Sequence, residues 1–142
     1  MANLTLFNSI YNAETERISY VKTYIYGVDW QGEQAITVGD KGLLSANKIT
    51  CFITFLCEIE ENKTYISPGE FSKLNSNELK KYYTFKKGDI IVKGITEFNL
   101  SSYEKGKKLN DLEQLYETGT IVSIIPNDFG SEYLRHWEVG AK

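Results

Sequence analysis

The chain holds one histidine, His136, and two cysteines, Cys51 and Cys57, so its stock of soft nucleophiles and imidazole is small. A structural or catalytic metal centre needs three or four ligands at suitable spacing. No such grouping can be assembled from these residues, and we expect neither metal nor cofactor. Cys51 and Cys57 lie six positions apart in KITCFITFLCE, residues 48–58. On an extended strand this spacing puts them on one face with Ile49, Ile53 and Phe55, at about 20 Å from each other. A disulfide requires Cα atoms within ~7 Å, so the two thiols are expected unpaired and buried. A Cys–His nucleophile pair needs an exposed thiol beside His136, and the strand pattern points both thiols inward. A Ser–His–Asp arrangement could be folded around His136, but no nucleophile-elbow motif supports it. The 19 acidic residues offer many accidental carboxylate pairs and single out none. The expectation is a protein that is not an enzyme.

The patterning is that of a β protein. ISYVKTYIYGVDW, residues 18–30, alternates with period two and is rich in aromatic and β-branched residues, which predicts a strand. Gly27 within it suggests a bulge. Gln31-Gly32 then reads as a turn and residues 34–38 as a short return strand, followed by a Gly39-Asp40-Lys41-Gly42 turn. Those glycines lack the spacing of a phosphate-binding loop. Residues 48–58 form the strongest strand, apolar on both faces and therefore central. Its inward face, with Cys51, Ile53, Phe55 and Cys57, joins Ile90 and Val92 of KGDIIVKG (87–94) and Val122 and Ile124 of GTIVSII (119–125) as the candidate barrel core. Ser67-Pro68-Gly69-Glu70 is a helix start with a serine cap and proline in the first turn. A second short helical stretch is expected near 77–82. Leu109, Leu112, Leu115 and Tyr116 recur at helical spacing inside a long polar stretch, 95–118. HWEV closes the chain as a final strand. Residues 1–17 read as an N-terminal arm or edge element. Together these predict a mainly β fold in a single domain, 1–142. It would be a small antiparallel β-barrel of six or seven strands, with one or two short helices and long polar loops.

At 142 residues the chain can bury a core without disulfide or metal staples. Its net charge of −3 supplies no dominant positive field for a phosphate backbone. The lysine clusters at 80–87 and 105–108 read first as solvated surface. The N-terminal sequence has no basic region followed by an apolar core, so no secretory leader is expected, and no run reaches the ~18 apolar residues of a membrane span. A cytoplasmic setting, without membrane contact, is expected.

Two surfaces stand out. Trp, Tyr and Arg dominate protein interfaces, and Arg135, His136 and Trp137 together would suit one. They would either show a contact surface or close the barrel, with the tryptophan as a cap and the histidine at the rim. Tyr20, Tyr24, Tyr26 and Trp30 share one strand parity. They could form a stacking platform of an oligonucleotide-binding barrel or fill a core or interface. Tyr24, Tyr26 and Trp30 join Arg135, His136 and Trp137 as candidate interface residues.

KGDIIVKG (87–94), GTIVSIIPND (119–128) and RHWEVGAK (135–142) resemble, in their order, the small β-barrel head-closure or stopper proteins of tailed bacteriophages. TLFN (5–8), GVDW (27–30), TVGDKGL (37–43) and HWEVG (136–140) are similar to an uncharacterised family encoded by phages and prophages of low-GC Gram-positive bacteria, over nearly the full length. The resemblance implies a virion neck protein, a head-closure or head–tail connector subunit made in the host bacterial cytoplasm. Its partners would be portal, adaptor and tail proteins. It would form a homo-oligomeric ring in the virion, from subunits that can be monomeric in isolation, with packaged DNA only passing through. Candidate channel-closing loops are 58–65, 96–109 and 126–134. The chain departs from shorter stoppers around residues 68–83 and 95–118. A tail-completion or minor capsid protein is the neighbouring alternative.

Overall fold

A computed structural model describes residues 2–39, 42–131 and 134–142, with backbone only at 33–39 and 42–47. Three long strands come first: β1 (Ala2–Asn12), β2 (Arg17–Gly39) and β3 (Gly42–Thr54). The short strands β4 (Glu58–Ile59), β5 (Thr64–Tyr65) and β6 (Tyr82–Tyr83) follow, with helix α1 (Pro68–Phe71) between β5 and β6. The remainder is β7 (Ile90–Lys93), helix α2 (Leu109–Leu115), β8 (Thr118–Asn127) and β9 (His136–Ala141). The seven-stranded sheet runs β1-β7-β8-β9-β3-β2-β4, and β1 also pairs with β2. That extra pairing closes six strands into an antiparallel barrel and leaves β4 attached to β2, as the mainly β, barrel expectation required.

Every barrel strand fills the interior. Leu4 and Leu6 come from β1, Ile25 and Val28 from β2, and Ile49, Cys51 and Ile53 from β3. Ile91, Ile121, Val139 and Ala141 come from β7, β8 and β9. A six-stranded barrel is narrow, so side chains pack it solid. Gly119 marks how tight it is: a Cβ there would lie 2.8 Å from both the Ala141 Cβ and the Ile49 Cδ1.

The N-terminal residues are not an arm. β1 runs antiparallel between β2 and β7, and Leu4 to Asn8 are all buried. One parity, Leu4 and Leu6, enters the barrel. The other, Phe7, packs outside it with Ile90, Val92, Leu100 and Leu112. The cover on that outer face is the 95–117 stretch. Thr96 N donates to Thr5 Oγ1 at 3.1 Å, and Thr5 Oγ1 donates to the Gly94 carbonyl at 2.8 Å. Leu112 of α2 is fully buried there, while Leu115 and Tyr116 remain exposed. The stretch predicted as a polar loop with a short helix keeps that helix, α2, and packs as a second layer.

Four further expectations change. Gln31-Gly32 is no turn: β2 is continuous for 23 residues, and both positions pair with β3. The Gly39–Gly42 turn cannot be compared at its centre, because Asp40 and Lys41 lie outside the described residues. Phe55 is not core. The chain turns after Thr54, with Cys57 N donating to the Thr54 carbonyl, and Phe55 is 38% exposed. Val122 is not core either: a register shift between Ile121 and Ser123 places it on the bulge, 42% exposed, and Ile121 takes the interior position. Cys51, Ile53, Ile90 and Val92 are buried, and Cys57 and Ile124 pack against the core from the side. Ile90 and Val92, however, serve the outer layer. Ser67 caps α1 by accepting from Glu70 N, as its spacing predicted.

Candidate functional site

The C-terminal strand is held by aromatic packing. The Trp137 ring lies 4.4 Å from Tyr65, 4.9 Å from Phe55 and 5.7 Å from Phe85, centroid to centroid. Tyr83 joins through Phe85 at 5.6 Å. These rings plug the barrel end where β3 finishes and β9 begins, and the 60–85 segment supplies three of them. Such geometries add to area burial. His136 pairs with Thr54 and Asn127. Its Nδ1 lies 2.9 Å from the Leu134 carbonyl and its Nε2 3.1 Å from Asn127 Nδ2, so the fitting tautomer carries the proton on Nδ1. Arg135 is exposed, and its carbonyl accepts from Phe55 N.

The aromatic stripe of β2 does not stay on one side. Gly27 has φ +76°, and the β1 partners jump from Ile25↔Leu4 to Val28↔Ala2. Before this bulge the odd positions Thr23 and Ile25 are buried; after it, the even position Val28 is. Tyr20 and Tyr24 therefore face the outer layer, where Tyr20 packs against its core and the Tyr24 hydroxyl donates to the Thr96 carbonyl at 2.8 Å. Trp30, beyond the bulge, packs against the barrel core opposite Cys51. Tyr26 is half-buried. Trp137 thus sits in the plug with His136 beside it, Tyr24 lies against the outer layer, and Trp30 lies against the barrel core.

Sequence reading missed a sealed polar centre. Asp89 is fully buried. It accepts from Asn8 Nδ2 at 2.8 Å, Ser9 Oγ at 2.7 Å and Ser9 N at 3.1 Å, and the Lys86 Nζ lies 3.8 Å away. Burial raises its carboxyl above the ordinary carboxylate range, against the opposing pull of those hydrogen bonds and of Lys86. Asn8 also donates to the Thr84 carbonyl at 2.7 Å. The centre ties β1 to the turn before β7 and gives a solute no access. Its only local signal was Gly88-Asp89, which also fits an ordinary turn. Lys63 is buried in the same manner, its Nζ donating to the Lys22 carbonyl and Thr23 Oγ1, each at 3.0 Å.

Burial pushes the Cys51 thiol up to about 12 and the Cys57 thiol up to about 11, so both are neutral at physiological pH and poor nucleophiles. Among the described residues, no group of three or more His, Cys, Asp and Glu is placed to hold a metal ion. Two shallow clefts, about 180 and 200 Å³, lie beside Tyr20 against 99–110. Both are smaller than the ~300 Å³ at which ligand pockets begin.

Beyond the barrel, β2 and β3 continue as an arm. β9 pairs with β3 only from Ile49 onward, and β1 pairs with β2 only up to Val28. From Glu33↔Lys48 to Gly39↔Gly42, β2 and β3 pair only with each other among the described residues. Seven pairs at ~3.3 Å make a ribbon about 23 Å long. It leaves the barrel at the end opposite the aromatic plug.

Compared with known proteins, residues 1–142 match the model of one family, described as "Family of unknown function (DUF6751)". The chain belongs to this family. No curated protein and no solved structure matches it.

Proposed function

We propose that this DUF6751 chain is a bacteriophage neck protein, a head-closure or head–tail connector subunit that acts by assembly. The observation that carries the reading is the two-stranded arm on a closed, solidly packed barrel. A lone hairpin is marginal in water, so an arm of this length gains its stability from whatever it docks on. The plugged end adds exposed Leu56, Phe129 and Leu134 as a second apolar contact area. The likeness of KGDIIVKG and HWEVG to phage barrels supplies the setting: partners would be portal, adaptor and tail proteins, with DNA passing through. Of the candidate closing loops, 126–134 fits best. Phe129 is 80% exposed, whereas 96–109 is fastened to the outer face through Thr96 and Leu100.

The test is quantitative mass spectrometry of purified tailed particles from a strain encoding the chain. The reading predicts the chain in the particle at a copy number comparable to the portal protein. Its absence, or a copy number comparable to the major capsid protein, contradicts the reading. The oligonucleotide-binding alternative has less support, because the β2 aromatics are divided between two layers.

A further inference from the structure

Among the described residues, the arm presents long strand edges without protection. Exposed strand edges invite pairing with another chain, and proteins blunt them with proline, charge, shortness or cover. The other edges carry such devices. β8 runs past its last β7 partner, Thr120, but there it contains Pro126. The β1–β2 turn carries Glu14, Glu16 and Arg17, and Ser102 Oγ donates to the Ile18 carbonyl at 2.8 Å. β4 is two residues long. In contrast, residues 34–39 and 42–47 contain no proline and no charge. Both outer edges of the arm, 33–38 on β2 and 43–48 on β3, lack a strand partner among the described residues.

The charges at the base suit an identical chain. Glu33 is on the β2 edge and Lys48 is directly opposed on the β3 edge. If the β3 edge of one arm meets the β2 edge of the next, the strands run antiparallel, and Lys48 of one copy comes level with Glu33 of the other. The contact uses different edges on the two copies, so it is heterologous, the kind of contact that builds a ring when its rotation closes. We propose that the arms add edge to edge, β3 of one copy to β2 of a second copy, and that this shared sheet builds the ring. The inference rests on the assembly reading above and names the surface that performs it.

Two variants that each add one cysteine to the buried Cys51 and the half-buried Cys57, Gln34→Cys on the β2 edge and Asn47→Cys on the β3 edge, test it. Mixed and oxidised, they are expected to give the heterodimer in excess over either homodimer, with the wild-type chain as the blank. The double variant Thr37→Lys with Leu44→Lys puts charge on both edges outside the barrel. It is expected to lose the fast-sedimenting species formed by the wild type and to keep the wild-type melting temperature. Homodimers as abundant as the heterodimer overturn the inference. So does wild-type sedimentation by the lysine variant, or a wild type monomeric at every concentration. Particles that incorporate the lysine variant as well as the wild type defeat edge addition and leave the neck reading standing. Edge-linked rings of a chain absent from particles defeat the neck reading alone.

Discussion

Cys51 sits at the middle of the barrel, opposite Val139 on one side and Trp30 on the other. Its thiol ionises at 9.0 when free and at about 12 in the fold, because burial disfavours the thiolate. A folded value above the unfolded one means stability that is fully present below pH 9 and is lost as pH rises through 12. Three units correspond to up to ~4 kcal/mol. Cys57 and Tyr83, both raised by burial, act in the same direction. Lys63 opposes them: burial lowers its value, so it stabilises above its unfolded value of 10.5 and loses that contribution as pH falls through the folded one. Urea midpoints measured between pH 8 and 11 should fall steeply for the wild type and less steeply for Cys51→Ala, whose starting stability is lower. Equal slopes would mean that the thiol is not buried as described.

At the scale of elements, the Gly27 bulge decides which face of β2 enters the barrel. A side chain at φ +76° is strained, and nothing lies within 4 Å of the missing Cβ, so the cost is backbone strain alone. Gly27→Ala should cost about 1–3 kcal/mol in urea denaturation, with the barrel retained. β9 is less forgiving. Deleting 135–142 removes the strand between β8 and β3, opens the ring and takes Trp137 out of the plug. The truncated chain should show no cooperative unfolding transition; an unchanged melting temperature would refute its role. Strand identity was legible because alternation and β-branched residues mark pleated, half-buried surfaces. The serine cap of α1 and the final HWEV strand were legible for equally local reasons. The parity switch at Gly27, the bulge at Val122 and the turn at Phe55 were not, because register is set by partners distant in sequence. The same holds for Asp89, whose partners Asn8 and Ser9 lie about 80 residues away. The arm is not legible at Gln31-Gly32 either, because the dipeptide is turn-like locally and only its pairing with Thr50 and Ile49 of β3 keeps β2 extended.

The whole molecule is a closed barrel with a sealed interior, an aromatic plug at one end and a ribbon at the other. The 95–117 stretch is a loop with the short helix expected at Leu109, and its packing as a layer was not legible because its few apolar residues, Leu100 and Leu112 above all, are spaced widely and cover β1 from outside. Stability lies in the closed barrel, and the proposed assembly would fall to the arm and the plugged end. We propose that copies of this chain form a ring in the neck of a virion. The most direct measurement is an electron cryomicroscopy reconstruction of the head–tail junction of particles that contain the chain, without imposed symmetry. The account predicts a ring of these barrels between portal and tail, with each ribbon beside that of its neighbour. Density for the barrel on the capsid shell or at the tail tip, or none at the junction, would contradict it.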